Sequence, residues 1–149
     1  MPSRLSAQHP EHLSARQPSD LHLLRELPQL RLLSDAATEL LWADWRGPQT
    51  AATVREGAEA VLAAVQAGKY TKLLNDNTHL TVMNVTAQEW DSIQVLPRLF
   101  NAGLQYLAWV YPPDLTGRRH TDYSVNRSSW PLLLTFEERQ MALEWLRQH

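Results

Sequence analysis

The stretch from Thr71 to Trp90, TKLLNDNTHLTVMNVTAQEW, constrains the fold of this chain more than any other segment. Lys72 to Leu74 is typical of a short buried strand, and the polar residues Asn75 to Asn77 are typical of a turn. Thr86 to Glu89 has the spacing of a capping box, in which a hydroxyl and a carboxylate satisfy free amides at a helix start. A strand, a turn and a capped helix in succession predict an α/β fold.

The composition is that of a globular chain with one core. The chain has 149 residues, of which 20% are charged and 44% hydrophobic, and both fractions are ordinary. Fourteen basic and sixteen acidic residues are spread without a run of one sign, so we expect no nucleic-acid partner. The absence of cysteine excludes disulfides and thiolate metal sites. No stretch has the ~20 apolar residues of a membrane helix, and we predict a cytoplasmic protein.

Residues 1–20 differ from the rest, being rich in Ser, Pro, His and Gln. They predict a flexible N-terminal leader, which leaves residues 21–149 as a single α/β domain. The spacing of His9, His12 and His22 fits no standard ligand pattern, so no metal site is predicted. No glycine-rich phosphate loop occurs, and no cofactor is expected.

Hydrophobic patterning predicts strands that alternate with helices. Strands at 21–34, interrupted by Pro28, and at 39–46, closed by Gly47-Pro48, are predicted to form an antiparallel hairpin. This order predicts a mostly parallel sheet of four to five strands, with the hairpin at its edge and helices packed on it. The later strands are predicted at 72–74, 106–111 and 132–135, the helices at 53–67, 86–103 and 135–148, and either a loop or a short helix at 115–129.

Three local signals refine the helices. Gly68 is placed to end the helix at 53–67. Pro97 removes one hydrogen bond from the helix at 86–103 and should kink it. The residues Thr135-Phe136-Glu137-Glu138 have the spacing of a second capping box, which predicts the start of the last helix.

Several segments resemble the STAS superfamily, the fold of bacterial anti-sigma-factor antagonists. The chain is more closely similar to the SpoIIAA-like, or STAS/SEC14 domain-containing, group of small bacterial proteins. This resemblance spans about residues 21–149 and implies a STAS-like fold and a regulatory role through protein contacts. The residues that carry it are WADWRG (42–47), VREG (54–57), KLLNDN (72–77), Trp90, Pro97, AGLQYLAWVYPPD (102–114) and TFEERQMALEWL (135–146).

The resemblance also bears on a phosphorylation switch. In the antagonists, an Asp-Ser-Ser/Thr-Gly motif at the start of the second helix receives a phosphate from an anti-sigma kinase. The matching positions here are Asn84, Val85, Thr86 and Ala87, of which only Thr86 keeps a hydroxyl. The departure implies that the switch is lost, with Thr86 or Thr81 as the remaining candidate acceptor.

Polar side chains follow the predicted strands and form the candidate site. In a parallel sheet, the loops after the strands meet at one edge, and ligands bind where the strand order reverses. Arg118 and Arg119 could grip a phosphate or carboxylate, while turns and a solvated loop are the plainer roles for this set. His120 beside Asp122 or Asp114 imitates a catalytic base and its orienting acid, but no nucleophile is evident. The candidates are Asn75, Asp76, Asn77, Asp114, Arg118, Arg119 and His120.

The six tryptophans are a further unusual feature. Trp42 and Trp45 lie three apart on a predicted strand and should face opposite sides of the sheet. One of the two is therefore a candidate for an exposed interface residue. Trp130 lies outside the clear periodicity and is the best candidate for an exposed anchor. The other tryptophans are interpreted as core residues.

Two non-enzymatic functions fit these observations. The first is a regulatory or protein-interaction domain with a protein partner and self-association as a homodimer. The alternative is a carrier of a small apolar ligand or lipid, because the resemblance extends to the SEC14-like class. A carrier would have an apolar pocket beneath the helices near Trp90 and Phe100.

A third and weaker hypothesis is an enzyme that uses Asp76, Asp114 and His120. The three hypotheses predict different surfaces. An enclosed apolar cavity favours the carrier, a flat apolar patch favours the interaction domain, and a polar cleft lined by Asp76 and Arg118 favours chemistry.

Overall fold

The computed structural model describes residues 21–68, 70–128 and 132–149, and within them an α/β fold. Six strands form one sheet whose order follows the chain, and three of its five neighbouring pairs are parallel. The strands are β1 (His22–Leu27), β2 (Leu30–Asp35), β3 (Leu40–Thr50), β4 (Lys72–Asn84), β5 (Tyr106–Val110) and β6 (Leu133–Phe136). The helices are α1 (Ala51–Ala67), α2 (Ala87–Ser92), α3 (Val95–Asn101), α4 (Leu115–Arg127) and α5 (Arg139–Arg147).

The α/β class and the mostly parallel sheet with an antiparallel edge are confirmed, but the strand number is not. Leu27 pairs with Leu30, so the chain reverses at Pro28 and Gln29. The prediction of one interrupted strand at 21–34 is therefore wrong. Proline sets a backbone angle suited to a turn and has no N–H to give to a ladder. The edge is a three-stranded antiparallel unit, and the sheet has six described strands instead of four to five.

Two central strands are longer than the sequence predicts. β3 passes through Gly47 and Pro48 to Thr50, with register shifts on either side of Gly47, which has a φ of 73°. β4 runs without a break through Asn75–Asn77, so the predicted turn at these residues is wrong. Asn75 and Asp76 pair with both β3 and β5, and this pairing overrides the turn preference of Asn and Asp.

The predicted helix at 86–103 is two helices, α2 and α3, separated at Ile93 and Gln94. The capping box at Thr86 and Glu89 is confirmed. The predicted kink at Pro97 is wrong, because Pro97 lies in the first turn of α3. Residues of a first turn have no intrahelical acceptor for their N–H, so proline costs no hydrogen bond there.

The ends of the other helices give mixed outcomes. Gly68 ends α1 as predicted, and residues 115–127 form a helix, which settles the loop-or-helix alternative. The prediction of a second capping box at residues 135–138 is wrong. Thr135 belongs to β6, and α5 begins after Glu138 without a side-chain cap. Pairing of Thr135 with Trp109 holds this threonine in the sheet.

Apolar side chains form two cores, one on each face of the sheet. The larger packs against α1, α2 and α3, and the smaller packs against α5. Trp45 belongs to the first and Trp42 to the second, which confirms that they face opposite sides. Their exposures are 7% and 3%, so the expectation that one of them is exposed is wrong. No helix among the described residues is long and apolar enough to span a membrane.

Candidate functional site

A cavity of about 340 Å³ lies between the larger-core face of the sheet and helices α1 to α4. The sheet side comes from β3, β4 and β5, and α2 with α3 cover it as a roof. Most of its surface is apolar, and five aromatic rings contribute to it. The aromatic residues are Trp45, Trp90, Phe100, Trp109 and Tyr123, and the aliphatic ones are Val54, Ala58, Val61, Leu73, Leu80, Met83, Ile93, Val95, Leu96, Pro97, Leu99 and Leu107.

The roof explains why space remains beneath it. α2 and α3 have six and seven residues, and Leu99 is the one residue that these two helices bury. Ile93, Val95 and Leu96 are only half-buried. Helices this short cannot bring a continuous apolar stripe onto the sheet, so their side chains surround the space without filling it.

Polar contacts tie the roof to α1. The Arg98 guanidinium donates to both carboxylate oxygens of Glu59, at 2.6 and 3.1 Å. Arg55 donates to the Ser92 hydroxyl at 2.6 Å. The hydrogen bond from Arg98 holds the pKa of Glu59 below its ordinary value. These contacts are exposed, so they position the roof more than they stabilise the fold.

A second set of contacts ties the roof to α4. The Trp90 indole Nε1–H donates to Ser124 Oγ at 2.8 Å, and its ring stacks on His120 with centroids 4.9 Å apart. The Tyr123 hydroxyl donates to Asp91 at 2.9 Å, and this hydrogen bond raises the pKa of Tyr123. Trp90 and Tyr123 therefore join α2 to α4 beside the cavity.

His120 is buried in this arrangement and serves packing. Its Nε2 lies 2.7 Å from the backbone oxygen of Val85. A carbonyl oxygen only accepts, so Nε2 carries a proton and donates it there. With one ring face on Trp90, His120 is placed to orient the roof.

The sheet side of the cavity carries three uncharged polar side chains. Asn75 and Trp109 are register partners on β4 and β5, and Asn77 follows Asn75 on the same face. Asn75 Oδ1 accepts from Trp45 Nε1–H at 2.8 Å. The Nε1–H of Trp109 is buried and has no acceptor among the described residues. Neutral hydrogen-bonding groups thus lie within apolar surroundings.

Asp76 lies on the opposite face and is fully buried. Its carboxylate accepts from Trp42 Nε1 at 3.2 Å and from the Thr78 amide at 3.0 Å. Arg139 Nη1 approaches it at 3.4 Å, and its guanidinium lies over the Trp42 ring. A buried carboxylate requires such partners, and here they fasten the start of α5 to the sheet.

The remaining charged candidates lie at the start of α4. Asp114 caps this helix and accepts from the amides of Gly117 and Met83, both at 3.1 Å. Arg118 forms a two-pronged ion pair with Glu137, at 2.7 and 3.0 Å, which holds the pKa of Glu137 below its ordinary value. Arg119 is exposed.

The structure therefore does not bring the predicted site residues to one edge. Asn75 and Asn77 face the cavity and Asp76 faces away, because successive strand residues alternate between faces. The strand order follows the chain order, so the described strands have no reversal to create the expected crevice. Asp114 and Arg118 are occupied by a helix cap and an ion pair.

Other predicted positions have simpler outcomes. Thr86 is exposed, and its hydroxyl accepts from the Glu89 amide at 3.1 Å as the cap of α2. Trp130, His9 and His12 lie outside the described residues, as does the predicted leader at 1–20. Within the described ranges, no group of three histidine or acidic side chains is placed to hold a metal ion.

The residue that sequence reasoning missed is Trp109. The sequence predicts a core residue at this position, and Trp109 is buried, but its indole N–H has no acceptor in the described part of the chain. Alternation along YLAWV places it on the same face as Leu107. This alternation could have indicated which face of the sheet Trp109 occupies. Whether its indole N–H finds an acceptor depends on which side chains β4 and β6 bring beside it.

Comparison with known proteins gives one similar structure. No protein-family model matches the chain, and no curated protein matches it. The chain is similar to the solved structure of an uncharacterized protein from the DUF3478 family with a SpoIIAA-like fold from Shewanella loihica PV-4. The two are 20% identical, the match covers 85% of this chain and 91% of that one, and the TM-score is 0.44.

Proposed function

We propose that this domain binds a small, predominantly apolar ligand between the sheet and helices α1 to α4, and that it acts without catalysis, as a carrier or a ligand-responsive domain. The observation that supports this proposal is the cavity beside Trp90 and Phe100. Its volume of about 340 Å³ lies at the lower end of the ~300–1,000 Å³ common for small-molecule sites.

The volume limits the size of the ligand. An apolar cavity of about 150 Å³ accommodates one benzene ring, so the present cavity suits a ligand of about two rings or a short chain. A phospholipid with two long acyl chains would require the roof to open. The five aromatic rings of the lining favour a flat ligand, since stacked and edge-to-face contacts add to the burial of apolar area.

The positions of the acid–base candidates favour binding over chemistry. Catalysis requires titratable groups that converge on one substrate position. Asp76 and His120 make their contacts on different sides of the sheet, with Arg139 and with the Val85 carbonyl respectively. The regulatory role, the protein partner and self-association remain predictions from the sequence resemblance.

The test uses the full chain and naphthalene as the probe, with binding measured by saturation-transfer NMR and calorimetry. Ala58 lines the cavity and Ala63 lies exposed on the same helix, α1. Ala58→Phe should weaken naphthalene binding by at least about tenfold, because the added ring occupies the space of the ligand. Ala63→Phe, the matched control for helix propensity, should bind naphthalene as the wild type does.

Two outcomes would contradict the proposal. One is the absence of naphthalene binding to the folded wild type. The other is equal affinity in both variants, which would place the probe elsewhere on the surface. Native mass spectrometry of the protein purified from its own host complements this test, since a retained natural ligand would add a defined mass to the chain.

A further inference from the structure

Two asparagines on the sheet side of the cavity have amide groups with unused hydrogen-bonding capacity. Asn75 Oδ1 accepts from Trp45 Nε1–H at 2.8 Å. An indole N–H only donates, so this contact fixes the amide with Nδ2 as its other end. The two N–H groups of Asn75 Nδ2 have no acceptor among the described residues. The Asn77 side chain has no hydrogen-bond partner within the described ranges, although the residue is only 5% exposed.

These amide groups are open to the cavity. In the described part of the chain, the side-chain polar atoms that are both enclosed and unpaired belong to Arg31 and Trp109. The unpaired amide atoms of Asn75 and Asn77 are not among them, so they keep accessible surface. Asn75 is half-buried although its backbone pairs with strands on both sides, and both asparagines line the cavity. A ligand in the cavity can therefore reach both amides.

The sheet side of the cavity, where these amides lie, is uncharged. The charged lining residues are Asp91 on α2 and Arg127 at the end of α4, and both are exposed. Asp91 accepts from the Tyr123 hydroxyl, and Arg127 lies over the Tyr123 ring at 5.1 Å. An ionised ligand group beside the asparagines would be buried without a counter-ion, which is strongly unfavourable.

Resting on the proposed function, we infer that the ligand is a neutral, flat molecule of one or two rings that carries an amide group, as in a carboxamide or a lactam, at the end that faces β4. Its carbonyl oxygen accepts from Asn75 Nδ2, and its N–H donates to Asn77 Oδ1. The two asparagines are two residues apart on one face of a strand, hence about 7 Å apart, which leaves room for one planar amide between their side chains. The rings occupy the apolar space beneath α2 and α3.

Four naphthalene derivatives of similar shape test the inference: 2-naphthamide, 2-acetonaphthone, 2-isopropenylnaphthalene and 2-naphthoate. Calorimetry with the full chain measures each affinity. The amide should bind at least about fivefold more tightly than the hydrocarbon, as expected for two hydrogen bonds to unpaired groups. The ketone, which only accepts, should lie between them. Naphthoate should bind most weakly, because its charge would be buried without a partner.

Two variants assign the effect to Asn77. Asn77→Leu keeps a side chain of similar size but removes the acceptor, so the preference for the amide over the ketone should disappear. Because the two probes are compared within each protein, the cost of removing each probe from water cancels. Asn84→Leu is the matched control, since Asn84 lies exposed on the same strand and does not line the cavity. It should keep the preference.

The outcomes separate this inference from the proposed function. If naphthalene or its hydrocarbon derivative binds and the amide gains nothing over the ketone in the wild type, the inference is overturned and the proposed function stands. If naphthoate binds most tightly, or if folded Asn77→Leu keeps the preference for the amide, the inference is again overturned. If neither naphthalene nor any of the four binds, both fail. The wild-type comparison decides even if Asn77→Leu does not fold.

Discussion

At the scale of single residues, Gly57 shows how a helix position depends on the sheet beneath it. A Cβ at this position would overlap the ring of Trp45 and lie 3.3 Å from Leu30 Cδ2. Alanine normally stabilises a helix by about 1 kcal/mol relative to glycine. Overpacking typically costs about 1–3 kcal/mol, so steric overlap should outweigh propensity here.

We therefore expect Gly57→Ala to lower the free energy of unfolding by about 1 kcal/mol, measured by urea denaturation. Ala63 lies at an exposed position of the same helix, so Ala63→Gly measures the effect of helix propensity alone. This substitution should lower the free energy of unfolding by about 1 kcal/mol. A Gly57→Ala variant that is more stable than the wild type would show that Trp45 can move aside.

Thr86 carries a second prediction at this scale. Its hydroxyl accepts from the Glu89 amide, while Glu89 accepts from the Thr86 amide at 2.9 Å. Thr86→Ala should lower the free energy of unfolding by about 1 kcal/mol, the usual cost of losing such a cap. Thr81→Ala, at an exposed strand position, is the control and should have a smaller effect. Equal effects of the two changes would mean that the cap does not stabilise α2.

At the scale of elements, the roof helices α2 and α3 depend on contacts made by their neighbours. Short helices are marginal on their own, and most of their stability comes from tertiary packing. Arg98 contacts Glu59 on α1, and Trp90 contacts Ser124 on α4. The roof is thus the part of the cavity wall that is best suited to move when a ligand enters.

The Glu59–Arg98 ion pair, which joins α3 to α1, should make the stability of the folded state depend on pH. The pKa of Glu59 is lowered in the folded chain from its usual 4.5. The ionised carboxylate therefore stabilises the folded state above pH 4.5, and this contribution is lost as the pH falls through the lowered pKa. The difference in unfolding free energy between wild type and Glu59→Gln should accordingly shrink on going from neutral pH to below the folded pKa.

Urea denaturation at the two pH values measures this difference, and Arg98→Gln supplies the control. Glu59→Gln made in the Arg98→Gln background should have little effect at either pH, because the partner is already absent. A difference that stays constant between the two pH values in the wild-type background would exclude the ion pair as its source.

At the scale of the whole molecule, the cavity is separate from the two arginines near the start of α4, Arg118 and Arg119. Arg118 pairs with Glu137 at the surface, Arg119 is exposed, and neither lines the cavity. Replacing both arginines by alanine should change the unfolding midpoint little, since exposed ion pairs contribute little. It should also leave naphthalene affinity unchanged by calorimetry. A large loss of that affinity would show that the two regions are coupled.

The candidate site was predictable only in part. The sequence indicated an apolar pocket near Trp90 and Phe100 as one of three alternatives, and the cavity lies there. It also grouped Asn75, Asp76 and Asn77 as one polar cluster. Their alternation along β4 divides that cluster between the two faces, and recognising this requires knowing that β4 continues beyond the polar residues.

Features that depend on neighbours along the chain can be predicted from the amino-acid sequence. These are the α/β class, the cap at Thr86 and the opposite faces of Trp42 and Trp45, because periodicity and capping act within a few residues. The continuation of β4 through Asn75–Asn77 is set by the fold, because the partners of Asn75 and Asp76 on β3 and β5 are distant in the chain. The cavity, and the Trp109 donor that has no acceptor among the described residues, depend in the same way on which side chains from separate elements meet, and no local pattern encodes that.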